Sequence, residues 1–118
     1  MRKVLWSAVF ILWGSLAVSA QSLPSITLEN NTGYTVYCVY VSPSEDDTWG
    51  DDLLGEMILA PGETFNVQLS RPLNEVKLYD FCLQDEDGDE YYKWSVSVTN
   101  NARISFTMDD LGAAPEEE

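Results

Sequence analysis

The stretch that most strongly indicates the fold is Tyr34-Thr-Val-Tyr-Cys-Val-Tyr-Val41. β-Branched and aromatic residues, which pack well on a pleated surface, occupy nearly all of its positions. Apolar side chains fall on both faces, which is typical of a strand in the middle of a sheet. Pro43 has no amide proton to donate to a neighbouring strand, so we expect the strand to end there.

Further segments with strand character lie on both sides of this stretch. Turn-forming sequences separate them, including Asn30-Asn-Thr-Gly33 and Ala60-Pro-Gly-Glu63. No helical period extends beyond a turn or two. Seven short strands at regular spacing predict an all-β fold, a single small antiparallel β-sandwich of the Ig-like or Greek-key type. The six additional predicted strands cover residues 25–29, 55–59, 64–69, 75–84, 90–98 and 102–108.

The first 20 residues have the pattern of a signal peptide that is cleaved. Arg2 and Lys3 precede a mostly apolar run over residues 4–18, and Val18-Ser-Ala20 places small residues at the positions that a signal peptidase reads. The run is shorter than the roughly 20 residues that span a bilayer, although an uncleaved anchor is the alternative. No cysteine follows the cleavage site, so we expect an exported protein, periplasmic or secreted, and not a lipoprotein.

The remaining chain is long enough for one domain, which we place at residues 21–111, followed by a disordered acidic tail at 112–118. Removing the leader removes two of the six basic residues and none of the twenty acidic residues, so the mature net charge is −16. Such a chain repels phosphate backbones and anionic lipids, which argues against nucleic-acid and membrane-surface partners. It suits cations or a basic protein partner. A solvated acidic surface without a partner is the alternative.

Two cysteines, Cys38 and Cys82, lie in predicted strands. In an exported chain an even number of cysteines favours a disulfide, which on the chain-entropy model would add about 4 kcal/mol of stability. Two buried free thiols are the alternative.

Two acidic segments are the candidates for metal binding. The first is an acidic loop (residues 45–52), and the second is a hairpin tip (residues 85–89) in which three aspartates alternate around Gly88. Calcium prefers several carboxylate oxygens, so the two segments would form a Ca²⁺ site if they lay at the same end of the sandwich. An acidic surface that faces water is the alternative. The predicted ligands are Asp46, Asp47, Asp51, Asp52, Asp85, Asp87 and Asp89.

The chain contains no histidine, which excludes histidine-dependent triads and histidine–metal hydrolysis. Paired carboxylates could serve glycoside chemistry, but a sandwich of this size offers little room for a sugar cleft, so we predict no enzymatic activity. Trp49 and Trp94, with Tyr91 and Tyr92, are candidates for an aromatic surface that contacts a peptide or glycan. Packing within the domain is the alternative for these residues.

Several short motifs resemble those of a group of small exported bacterial β-domains of unestablished function. Trp49-Gly-x-Asp52-Leu-Leu-Gly55 is the most specific of them, and the resemblance spans about residues 26–91. It implies a β-rich fold and export, and it brings no catalytic residues. The resemblance also extends to members labelled argininosuccinate lyase, an activity that the short chain and the missing histidine exclude here. The other motifs are Asn31-Thr-Gly33, Tyr40-Val-Ser-Pro-Ser44, Leu59-Ala-Pro-Gly-Glu63, Tyr79-Asp80 and Asp85-x-Asp-Gly-Asp89.

The sequence thus predicts an exported, non-enzymatic binding or structural module. In the first hypothesis, Ca²⁺ held between the acidic loop and the hairpin tip stabilises one end of the domain. In the second, the protein needs no metal and uses an acidic face to bind a basic partner.

Overall fold

The computed structural model describes residues 23–114, so the predicted signal peptide lies outside the described residues. This part of the chain forms six β-strands and one short 3₁₀-helix. No helix within it has the length and apolarity that a membrane crossing needs. The strands are β1 Ser25–Asn30, β2 Val36–Pro43, β3 Thr64–Gln68, β4 Leu78–Asp85, β5 Glu90–Ser97 and β6 Ala102–Phe106, and the 3₁₀-helix is Met108–Asp110.

The strands form two three-stranded sheets with the orders β3-β1-β6 and β2-β4-β5. The all-β prediction is therefore confirmed. The central position predicted for Tyr34–Val41 is wrong, because β2, which contains most of this stretch, is an edge strand of the second sheet. One pairing departs from the antiparallel expectation: β1 pairs with β6 in parallel. The first sheet is mixed for this reason, while the pairings of the second sheet are all antiparallel.

The predicted strand at residues 55–59 does not form. Met57 N donates to Leu54 O in a turn, and only a single bridge, between Leu59 and Val36, connects this segment with β2. Met57 and Ile58 are both exposed, whereas Leu54 and Leu59 are buried. The apolar residues here anchor a loop at its two ends, which explains why six strands form where seven were expected.

One hydrophobic core joins the two sheets. Alternate residues of β1, such as Ile26 and Leu28, are almost fully buried, as the period of two predicts. Across the core, the ring of Phe81 from β4 meets the ring of Phe106 from β6 edge to face at 6.3 Å. Because the core buries the inner faces of both sheets, the outer face of the β2-β4-β5 sheet is the face of that sheet on which a loop or a ligand can pack.

Candidate functional site

The outer face of the β2-β4-β5 sheet collects aromatic, thiol and polar side chains. The register places Tyr40, Cys82 and Tyr92 side by side across the three strands. The next row, two residues along, consists of Cys38, Gln84 and Glu90. Side chains two residues apart on a strand share a face, so these two rows form a continuous surface.

The acidic loop folds back over this surface through Trp49. The Trp49 ring lies 6.5 Å from the ring of Tyr40, 6.2 Å from that of Tyr92 and 5.6 Å from that of Trp94. Tyr92 and Trp94 also stack on each other, with ring centres 5.0 Å apart. We call Tyr40, Trp49, Tyr92 and Trp94 the aromatic cluster. The distances between its ring centres lie in the range in which aromatic contacts add stability beyond the burial of apolar area.

The end of the acidic loop is attached to β2 by backbone and carboxylate hydrogen bonds. Asp52 Oδ1 accepts from Val39 N at 2.9 Å and from Leu54 N at 3.0 Å, and Leu53 N donates to Val39 O at 2.8 Å. Asp52 was predicted as a calcium ligand. In the structure its carboxylate instead satisfies backbone donors that would otherwise have no acceptor.

A β-bulge directs Trp94 towards the acidic loop. Between the pairs Phe81–Lys93 and Tyr79–Val96, Asp80 of β4 lies opposite two residues of β5, and one of them, Ser95, has a φ of 51°. The buried Asp80 Oδ1 accepts from Ser95 N at 2.8 Å and from the Ser44 hydroxyl at 2.7 Å. One acidic side chain therefore holds both the bulge and the start of the loop, consistent with the use of bulges to redirect side chains.

The chain beyond the 3₁₀-helix also contacts this region. The Trp94 indole N–H donates to Ala113 O at 3.0 Å, and Gly112 N donates to Glu90 O at 2.8 Å. The tail was predicted to begin at Gly112. In the structure the domain continues to Ala113, and residues 115–118 lie outside the described part of the chain.

An open pocket of about 320 Å³ lies beside Trp49. The aromatic rings of Tyr40, Trp49 and Tyr92 line it, together with the Glu90 carboxylate. The Tyr92 hydroxyl donates to Glu90 Oε1, so the carboxylate is held against the aromatic wall. The remaining lining residues are Gly50, Cys82 and Gln84. We call this cavity the aromatic pocket.

The thiol of Cys82 and the hydroxyl of Tyr92 resist losing their protons. Burial, with the nearby Glu90 carboxylate as the second cause, raises the pKa of the Cys82 thiol to about 12. Burial and the hydrogen bond to Glu90 also raise the pKa of the Tyr92 hydroxyl. Both groups are therefore neutral at physiological pH, and the formal charge of the lining comes from Glu90.

The structure contradicts the predicted disulfide, since Cys38 and Cys82 are both free thiols. They share a face of adjacent strands, but Cys82 lies opposite Tyr40 and Cys38 lies opposite Gln84, so the two cysteines are diagonal neighbours. Diagonal residues are about 7–8 Å apart, beyond the usual Cα separation of a disulfide. The alternative of two free thiols describes the structure, with Cys82 buried and Cys38 half-buried.

The hairpin tip is organised by the buried carboxylate of Asp85. Its Oδ1 accepts from Asp87 N at 2.9 Å and from Asp89 N at 3.0 Å. Its Oδ2 accepts from the hydroxyl of the buried Tyr91 at 2.7 Å. Tyr91, a candidate for an exposed aromatic surface, is thus a core residue whose polar end holds the turn.

The structure brings together three of the seven predicted calcium ligands. Carboxylate oxygens of Asp85, Asp87 and Asp89 all lie within 4.8 Å of one another, and this is the single cluster of three or more possible metal ligands within residues 23–114.

The acidic loop leaves β2 at Pro43, which pairs with Tyr79. The hairpin tip begins at the other end of β2, where Val36 pairs with Asp85. Seven residue steps along a strand separate these ends by about 23 Å. The four aspartates of the loop, Asp46, Asp47, Asp51 and Asp52, do not join the triad.

Of the residues that line the pocket, the sequence indicated Trp49 and Tyr92 as aromatic candidates but gave no such role to the others. Tyr40, Gln84 and Glu90 were treated as strand residues or as the end of a turn. The signal that would have found them is the period of two in β2, β4 and β5 combined with the correct register. The register depends on two bulges, which the sequence does not reveal.

Fold and site together define a small two-sheet β-domain with an acidic, aromatic-walled pocket on one outer face. Comparisons with protein-family models, with curated proteins and with solved structures find no match. The resemblance to small exported β-domains therefore stays a prediction from the motifs.

Proposed function

We propose that this protein is an exported, non-enzymatic binding module that holds a basic protein partner on its acidic surface, without needing a metal. The observation that carries the proposal is the placement of the carboxylates around the aromatic pocket. Glu90 lines the pocket, and on the same hairpin Glu86, Asp87 and Asp89 are exposed. On the loop side, the exposed Asp51 follows Gly50, which also lines the pocket.

The charge balance of the chain supports a cationic partner. The protein has twenty acidic and six basic residues, and two of the basic residues, Arg2 and Lys3, precede the domain. Lys93 is already paired with Asp110 at 3.1 Å. A surface of one sign attracts an oppositely charged partner over a distance of about one Debye length and increases its rate of association.

The hydrogen bonds of the acidic segments support independence from metal. Asp85 accepts hydrogen bonds from backbone donors of the hairpin tip, and Asp52 accepts them from Val39 of β2 and from Leu54, so each segment is held by donors of the protein itself. Exposed carboxylates on such scaffolds stay available for a partner.

The test is the association of the full-length protein with fluorescein-labelled oligolysine, measured by fluorescence anisotropy against salt concentration. We expect binding at low salt that weakens by about tenfold or more when exposed charges are screened, and no effect of a chelator. Labelled oligoglutamate is the matched control and is expected not to bind. Absence of oligolysine binding at low salt, or loss of binding in the chelator, would overturn the proposal.

A calcium-stabilised module is the second candidate, and the aspartate triad at the hairpin tip favours it. Asp87 and Asp89 are exposed, and Oδ2 of Asp85, which accepts one hydrogen bond from Tyr91, retains a lone-pair direction for a hard cation. Calcium would cross-link the hairpin tip alone, because the aspartates of the acidic loop lie outside the triad.

Thermal unfolding of the full-length protein with calcium, and then with excess chelator, tests this candidate. A ligand present at about 100 times its dissociation constant adds about 2.7 kcal/mol to the stability of the folded state, which raises the melting temperature of a domain of this size by roughly 10 °C or more. The Asp87→Asn variant should lose that shift, and Asp47→Asn, which makes the same charge change in the acidic loop, should keep it. No shift at millimolar calcium would exclude the second candidate.

A further inference from the structure

We propose that the aromatic pocket receives one arginine side chain of the basic partner, with the guanidinium stacked on the aromatic wall and hydrogen-bonded to Glu90. This inference rests on the proposed function and deepens it, since it assigns the residue of the partner that the pocket selects. Three features of the pocket carry it: the walls, the placed carboxylate, and the size and neutrality of the floor.

Aromatic residues form the walls of the pocket. Tyr40, Trp49 and Tyr92 all line the cavity, and Trp49 contacts both tyrosine rings. Aromatic faces attract cations, and tryptophan does so most strongly. Trp49 is half-buried, because the acidic loop packs it onto the sheet. The site is therefore pre-organised and needs little ordering of side chains when a ligand enters.

The exposed carboxylate of Glu90 is oriented by a hydrogen bond. Tyr92 donates its hydroxyl proton to Glu90 Oε1, which leaves Oε2 of the same carboxylate to accept from a ligand. A guanidinium presents several N–H groups in a rigid plane, so it can lie against a ring and donate to a neighbouring carboxylate at the same time. An ammonium is a compact, strongly hydrated charge and gains less from a ring next to an acceptor.

The volume of the pocket and its uncharged lining residues suit a single side chain of the partner. A volume of about 320 Å³ is at the small end of the range of ligand sites. Cys82 and Gln84 contribute to the lining as uncharged groups. The remaining exposed carboxylates of the hairpin lie outside the pocket, where they attract other basic residues of the partner without fixing their identity.

The experiment compares two labelled peptides of equal charge, an alternating Gly-Arg peptide and an alternating Gly-Lys peptide, on the full-length protein. We expect the arginine peptide to bind about tenfold more tightly, because the pocket adds stacking and a directed hydrogen bond to a shared attraction between charges. In ¹⁵N–¹H NMR spectra the arginine peptide should shift the indole N–H signal of Trp49. N-acetyl-arginine amide is a third probe, and we expect it to bind more weakly than the peptide.

Two variants with the same change of charge separate the pocket from the surface. Glu90→Gln should abolish the preference for arginine and make the two peptides bind equally. Glu86→Gln, on the same hairpin but outside the pocket lining, should weaken both peptides equally and keep their ratio. Trp49→Leu should also remove the preference, and unfolding curves of each variant verify that the domain is folded.

The outcomes distinguish this inference from the proposed function. Equal binding of both peptides to the unmodified protein, or equal effects of Glu90→Gln and Glu86→Gln, would overturn the arginine pocket and leave the acidic binding surface in place. Binding of neither peptide would overturn both proposals. If N-acetyl-arginine amide binds as tightly as the peptide, the pocket is a site for a small guanidinium compound, and the assignment to a protein partner is wrong.

Discussion

The two acidic segments have similar compositions and are held in place in opposite ways. The hairpin tip is built around a carboxylate, since Asp85 is buried and receives the donors of its own turn and of Tyr91. The acidic loop is built around an aromatic ring, since Trp49 packs on the rings of Tyr40 and Trp94, while the aspartates at 47 and 51 face water. The hairpin tip is anchored by a buried carboxylate, and the acidic loop by an aromatic contact, to which the Asp52 carboxylate adds hydrogen bonds at the end of the loop.

This difference shows that acidic residues in a row need not share a role. Asp85, Asp52 and Asp80 are acceptors for backbone donors and are part of the architecture. The exposed carboxylates beside them, such as Asp87 and Asp51, are available for recognition. The assignment follows from burial and donors, which depend on the fold, and not from residue type.

The largest effect that we predict is on the hairpin tip. Asp85→Ala leaves two turn amides and the hydroxyl of Tyr91 without their acceptor, so we expect it to lower the free energy of unfolding by about 3 kcal/mol. Urea denaturation followed by circular dichroism measures this loss. Asp87→Ala removes an exposed carboxylate two residues away and is expected to change stability by about 0.5 kcal/mol at most. Equal effects of the two substitutions would show that the hairpin tip has no buried polar anchor.

A somewhat smaller effect is expected in the acidic loop. Trp49→Ala removes the central ring of the aromatic cluster. Since this ring is only half-buried, we expect the free energy of unfolding to fall by about 2 kcal/mol. Leu53→Ala, which truncates an exposed apolar side chain at the end of the same segment, is the control, with an expected loss of about 0.5 kcal/mol or less. Without the ring of Trp49 beside it, the thiol of Cys82 should also react faster with a thiol reagent. An unchanged reaction rate would contradict the position of Trp49 over the sheet.

Much of the fold could be predicted from the sequence. The alternation in residues 25–29 and 64–69 and the apolar richness of 34–41 predicted β1, β3 and β2, because side-chain periodicity depends only on local chain geometry. Residues 55–59 were wrongly predicted as a strand. Their apolar run fits a strand in isolation, and only the exposure of Met57 and Ile58 in the folded chain shows that a turn has replaced it.

The site could be predicted only in part. Trp49 between carboxylates correctly indicated a loop that packs back on the domain. The calcium hypothesis required both acidic segments at one end of the sheet, and the disulfide required Cys38 opposite Cys82. The first fails on topology, because the acidic loop and the hairpin tip lie at opposite ends of the antiparallel pair β2 and β4. The second depends on the register between β2 and β4, which includes a bulge near Tyr37 that has no signature in the sequence.

The smallest predicted effect concerns the alkaline stability of the layer beneath the acidic loop. The pKa of Cys82 rises from 9.0 to about 12 on folding, chiefly because the thiol is buried. The folded state therefore keeps its proton at a pH where the unfolded state loses it. This contribution to stability is complete below pH 9 and is lost as the pH rises towards 12.

Between pH 8 and pH 10 we expect a decrease of about 1 kcal/mol from this group, measured by urea denaturation at both pH values. In Cys82→Ala the decrease should shrink by that amount. What remains belongs largely to tyrosines such as Tyr91 and Tyr92, whose pKa values desolvation also raises. Cys38→Ala is the matched control, since Cys38 lies on the same face but is half-buried, and its removal should reduce the decrease less. If both cysteine variants retain the full decrease, the thiols are solvated in the folded state, and the acidic loop does not seal the face on which it lies.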